Sequence, residues 1–89
     1  MKAVITVTGK DTVGIIADVA QVCATHHANI IDITQSVLSE YFAMIMLVEI
    51  DRLSIPFSAF ADKLADAGKE QSLDIRAMHE DIFNSMHSV

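Results

Sequence analysis

The sequence predicts an α+β fold: a ferredoxin-like β-α-β-β-α-β sandwich whose four-stranded antiparallel sheet carries its helices on one face, followed by a short C-terminal helix. Three observations predict it. Four segments, residues 3–8, 30–38, 41–50 and 73–78, carry the apolar patterning of strands. Two others, 14–27 and 54–68, repeat apolar residues at helical spacing. Their order along the chain puts one helix after the first strand and one after the third, with the middle strands joined directly.

Residues 3–8 set Ala3, Ile5 and Val7 against Val4, Thr6 and Thr8, a strand with one more polar face. Gly9 is free to turn left-handed as that strand ends, and Asp11 or Thr12 to accept from the first unpaired amides of the next helix. Gly14 leaves room for another backbone or a ligand to approach the first turn. Over 14–27 two stripes run side by side, Ile15, Val19, Val22 and Ile16, Ala20, Cys23. One would cover a sheet; the second is expected to face a partner.

Asn29 opens the second strand, in which Ile31, Ile33 and Val37 alternate with Asp32, Thr34 and Ser36. Ser39-Glu40 is the only break before 41–50. With no Gly or Asn there, a longer or bulged hairpin is expected. Segment 41–50 is apolar in both phases, Phe42, Met44, Met46 and Val48 against Ala43, Ile45 and Leu47, so it is buried on both faces or covered by another subunit on one. Pro56 opens the second helix, with Phe57, Phe60, Ala61 and Leu64 as its inward stripe and Gly68 placed to end it. Residues 73–78 form the last strand. In the tail, 79–88, Glu80 and Asp81 suit a helix start, and Ile82, Phe83 and Met86 give an apolar stripe.

Eighty-nine residues make one domain, 1–89. A chain this short buries only roughly 60–65% of its unfolded surface. Yet 52% of it is hydrophobic and its mean hydropathy is +0.39, more than one small core needs, so part is expected in an interface with further copies, a dimer or higher. The formal charge of −6 repels phosphate backbones, and no basic patch offsets it, which argues against nucleic acid as a partner. Charged or amide side chains interrupt every apolar run short of a membrane span. The N-terminus enters a strand directly rather than a signal-peptide layout, and the expected location is the cytoplasm.

Little catalytic chemistry is written here. Cys23 is the only cysteine, which excludes an internal disulfide and a CxxC motif; among Val19, Val22 and Ala24 it reads as a small buried hydrophobe. His26 and His27 are neighbours and diverge on a helix, and His79 and His87 lack a third ligand, so no metal is expected. No nucleophile elbow, Cys–His pair or phosphate-cradling loop is present, and no cofactor is expected. Asp18 reads as an exposed helix face.

The loop before the first helix remains. Its first-turn amides and positive dipole end suit a small anion. An amino acid docked there would offer its carboxylate to the N–H groups of Val13, Gly14 and Ile15, and its ammonium to Asn29, Asp11 or Asp32.

Gly9-Lys10-Asp11-x-x-Gly14-Ile15-x-Ala17-x-Val19, followed by Asn29-Ile30-x-Asp32-Ile33, resembles the signature of the ACT domain, a regulatory module that binds amino acids. The resemblance covers nearly the whole chain. It is strongest to the short stand-alone single-ACT-domain proteins of bacteria and archaea, then to the ACT domains of the glycine cleavage repressor. It implies the strand order 4-1-3-2 and a ligand held between the first loop and helix of one domain and the second strand of its partner. Asp11, Gly14 and Asn29 match the family's contact positions, with Thr12, Val13, Ile15 and Ile30 beside them. There are departures. Gly9 stands where some serine-binding members have a histidine, and Asp11 where they have an asparagine. Thr12-Val13 replaces a frequent Arg-Pro pair.

The function expected is therefore a non-catalytic regulatory module for a small metabolite, an amino acid. The alternative is a ligand-free interaction module that docks on a metabolic enzyme or regulator. A third reading, an acylphosphatase-like enzyme, needs an arginine in the first loop, where Lys10 is the only basic residue.

Overall fold

A computed structural model of the protein describes residues 1–10 and 14–87. The expectations that fall on Asp11, Thr12 and Val13 lie outside the described residues. Chain order is β1 (Lys2–Gly9), α1 (Ile15–Thr25), β2 (Asn29–Leu38), β3 (Tyr41–Glu49), α2 (Phe57–Lys69), β4 (Asp74–His79) and α3 (Glu80–His87). The strands lie in the order β2-β3-β1-β4, every neighbouring pair antiparallel. This is the ferredoxin-like α+β arrangement with a short C-terminal helix added. It is 19 Å deep by 36 and 34 Å across, the depth of a sheet with one layer of helices.

Register explains the two faces of the sheet. Ile5 pairs with Met46 and Ala77, and Val7 with Met44 and Ile75. These residues point at the helices and close the core with Ile15, Val19 and Cys23 of α1 and Phe60 and Leu64 of α2. The other phase, Thr6 with Ile45 and Arg76, then Thr8 with Ala43 and Asp74, makes the opposite, open face. β3 is therefore fully buried on its Phe42–Met44–Met46–Val48 side only. On α1 the buried stripe is Ile15, Val19 and Cys23, drawn from both stripes read in the sequence, while Ile16 is left at the surface.

Five local expectations are corrected. The β2–β3 hairpin is tight, because Leu38 pairs with Tyr41 across Ser39-Glu40 and Ser39 itself adopts φ 56°. The bulge lies at the other end of β2, between Ile30 and Asp32, where Ile31 is the extra residue. Gly9 is not left-handed; it stays in the strand because a Cβ there would overlap Leu73 Cδ2 and sit 3.2 Å from its Cγ. Gly68 does not end α2, which runs on to Lys69; it is buried where a Cβ would meet the Leu73 carbonyl at 2.7 Å and Ile75 Cγ1 at 2.8 Å. Both glycines are small so that the turn into β4 can pack close. Pro56 is the residue just before the helix, at φ −57° and ψ 146°, and His79 is the last residue of β4, stacked on Phe57 at 4.3 Å between ring centres.

Candidate functional site

The start of α1 is organised by Gly14. It is the N-cap, at φ 80°, a conformation that costs an L-residue about 1–2 kcal/mol. Among the described residues a Cβ on it would meet nothing within 4 Å, so the glycine is there for its backbone angle. Its carbonyl accepts from Asp18 N–H at 3.0 Å, closing the turn. The first amides of a helix have no partner within it, which leaves them for an outside acceptor. Ile15 follows with its side chain wholly in the core, so only its backbone is available to a ligand. Asp18 is exposed and takes a hydrogen bond from Gln71 Nε2, which ties α1 to the turn before β4.

Asn29 and Ile30 are elsewhere in the same chain. Asn29 starts β2 opposite Glu49, while Gly14 follows the other end of β1, where Gly9 pairs with Phe42. α1 runs between them for eleven residues, about 16 Å. One chain thus does not bring Gly14 and Asn29 together. Asp32 lies on the open face in register with Leu47, and its carboxylate accepts from the Ile33 N–H at 2.9 Å.

β2 is an edge strand whose outer edge pairs with nothing among the described residues. The helix layer stops short of it. Ile33 shares the phase of buried Met46 yet is 37% exposed, and Val37 shares that of Phe42 and is 69% exposed; Ile31, at the bulge, is 45% exposed. Together they make an apolar border along this edge, and Ile16 of α1 is exposed as well. The total accessible surface of 5603 Å² fits this picture, being above the roughly 5100 Å² expected for a monomer of this mass.

Two clefts flank the sheet. One of about 510 Å³ lies at the Asn29 end of the sheet among Met1, Lys2, His79, Glu80 and Asp81. The other, about 370 Å³, lies at the hairpin end among Thr8, Gly9, Ser36, Tyr41, Phe42 and Ala43. Lys10 places its ammonium 5.4 Å over the Tyr41 ring beside it. Sequence reasoning missed this second cleft, since its hydroxyls come from three strands and carry no local spacing. Among the described residues no three His, Cys, Asp or Glu side chains converge as metal ligands. Cys23 is buried, and desolvation pushes its thiol up to about 11, far from the thiolate that nucleophilic chemistry needs. No helix among the described residues is long and apolar enough to cross a membrane.

Comparison with known proteins completes the description. The pattern that defines the ACT domain matches residues 2–78. A UPF0237 protein of Methanopyrus kandleri is 42% identical over 88 residues, covering 99% of this chain and 98% of that protein. A solved ACT domain protein from Streptococcus pneumoniae is similar with a TM-score of 0.80 and 38% identity, covering 98% of both chains. A protein described as a glycine cleavage system transcriptional repressor shares the fold, with a TM-score of 0.70 at 24% identity over 86% of this chain and 44% of that one.

Proposed function

The chain belongs to the ACT domain family, and from that premise we propose that it is a non-catalytic regulatory module binding an amino acid at the start of α1, in a site completed by a second copy of itself. The observation that carries this reading is the separation of Gly14 from Asn29 at opposite ends of a sheet whose edge is β2. Two copies joined through β2 about a two-fold axis pair antiparallel, because the axis reverses the strand direction. The beginning of the partner strand then lies beside the hairpin end of this one, which brings the partner's Asn29 toward Gly14. The same pairing covers Ile31, Ile33 and Val37 and satisfies the open edge of β2.

In this site the ligand carboxylate accepts from the amides around Gly14, and the partner's Asn29 accepts from the ammonium. Ligand then contacts both copies at once, so binding and association reinforce each other. That is regulation without bond making. A thermal-shift screen of the twenty amino acids tests it. Ligand at a hundred times its dissociation constant stabilises the fold by about 2.7 kcal/mol, a Tm rise of roughly 10 °C or more for a domain of this size. Asn29→Ala should weaken the hit by roughly 1–3 kcal/mol. Absence of any response among all twenty overturns the reading.

A second reading draws on Ile45, Ile82 and Met86, which are exposed on the open face and on α3. They favour an interaction module that dimerises without ligand and docks on an enzyme or regulator. A stable dimer with no thermal response to amino acids would support it.

A further inference from the structure

The cleft at the hairpin end lies on the open face of the sheet, away from the helix layer. Thr8, Ala43 and Ser36 form one cross-strand row there, on β1, β3 and β2. Tyr41, two residues before Ala43, shares their phase and walls the cleft toward the hairpin. Across the row the residues read hydroxyl, methyl, hydroxyl, and beyond Thr8 comes Asp74 of β4, whose carboxylate is paired with Arg76. The small side chain of Ala43 leaves the hollow, and Thr8 and Ser36 flank it. Among the described residues these hydroxyls and that of Tyr41 have no hydrogen-bond partner, and Lys10 has no acidic partner. The Lys10 ammonium is held instead over the Tyr41 ring. On a chain of charge −6, this is a cation held over the Tyr41 ring at the wall of a cleft that also carries the Thr8 and Ser36 hydroxyls.

We propose that this cleft is a second binding site, for a small organic anion with a compact apolar body. Lys10 supplies the counter-charge, the hydroxyls of Thr8, Ser36 and Tyr41 donate to the anionic oxygens, and the body rests on Ala43 and the Tyr41 ring. A volume of about 370 Å³ is in the range of small-molecule sites. The site stands on its own residues and does not depend on the reading of α1. Its anion is a carboxylate or a phosphate ester, which share this chemistry.

Amide NMR titrations of the full chain test it, with benzoate, phenyl phosphate and neutral benzamide at millimolar concentration. Benzoate or phenyl phosphate should shift the amides of Thr8, Ser36, Tyr41 and Ala43, while benzamide leaves them in place. The stronger of the two anions identifies the headgroup. Lys10→Gln should weaken that binding roughly tenfold. Ala43→Leu should fill the hollow and abolish it, and Gly14→Val, aimed at the α1 site, should leave it unchanged. Equal shifts from benzamide, shifts confined to Gly14–Ile16, affinity unmoved by Lys10→Gln, or no shift from either anion would each overturn the proposal. Because Lys10 is exposed and outside the core, its variant reads the site even if Ala43→Leu disturbs the fold.

Discussion

The glycines do two different jobs, a left-handed backbone at Gly14 and close packing at Gly9 and Gly68, and substitution should separate them. Gly14→Ala places an L-residue at φ 80° with nothing within 4 Å of its Cβ among the described residues, so it should cost about 1–2 kcal/mol by backbone strain. Gly68→Ala gains up to about 1 kcal/mol of helix propensity but sets a methyl 2.7 Å from the Leu73 carbonyl. Backbone cannot step aside cheaply, so overpacking of about 1–3 kcal/mol should win and the net effect should be destabilising in chemical denaturation. Cys23 gives a pH prediction. Its thiol sits at about 11 in the folded chain against an ordinary 9.0, raised by burial. Between those values the unfolded chain has released a proton that the folded chain retains, so stability falls as pH rises from 9 toward 11, by roughly 2–3 kcal/mol. Cys23→Ala should lower stability at neutral pH through the lost packing and flatten that alkaline slope. A slope unchanged in the variant would assign it to other groups.

The ends of the elements are where local chemistry and fold disagree most. α1 terminates around His27 at φ 62°, with Ala28 N–H reaching the Cys23 carbonyl at 2.8 Å and His27 N–H the Ala24 carbonyl at 3.4 Å. α2 repeats the pattern around Ser72 at φ 58°, with Leu73 N–H on the Gly68 carbonyl at 2.8 Å. Both are Schellman-type ends with a non-glycine residue in the left-handed position, where glycine is the usual choice. His27→Gly and Ser72→Gly should therefore each stabilise by about 0.5–1 kcal/mol, a Tm gain of a few degrees in calorimetry. A loss of stability would mean that the side chains contribute contacts worth more than the strain. Such ends explain what was legible in the sequence. The alternation of Ala3, Ile5 and Val7 and the spacing of Phe60 and Leu64 report which face is buried, so element order and core could be read. The turns at His27, Ser39 and Ser72 could not, because packing holds those residues in a conformation that their type does not announce. Gly9 and Gly68 misled for the same reason: each is small for Leu73, a neighbour that only the fold supplies.

At the scale of the molecule, one layer of helices lies on a sheet too wide for it, and β2 is what remains uncovered. The surplus of apolar residues predicts an interface, and the structure shows where apolar side chains are exposed: Ile31, Ile33 and Val37 along one edge. The sequence offers its candidate site residues one by one but not the separation of Gly14 from Asn29, since spacing says nothing of which end of a sheet each reaches. Ile33→Glu should leave the fold intact, because the position is already 37% exposed, whereas Met46→Glu on the same row should unfold it by burying an unpaired charge. If β2 joins two copies, Ile33→Glu should sediment as the 9.7 kDa monomer where the parent sediments as a dimer. A mixing experiment goes further. Gly14→Val should abolish amino-acid binding by straining the first turn, and Asn29→Ala should weaken it from the other side. In a site built from one chain, mixing the two variants restores nothing. In a site shared between copies, each mixed dimer has one doubly defective site and one wholly intact. With free exchange half the dimers are mixed, so roughly a quarter of all sites should recover parental affinity in calorimetric titration. Recovery requires Gly14 of one copy and Asn29 of the other to serve the same ligand. Its absence, with mixed dimers verified by mass, would place both residues outside a shared site.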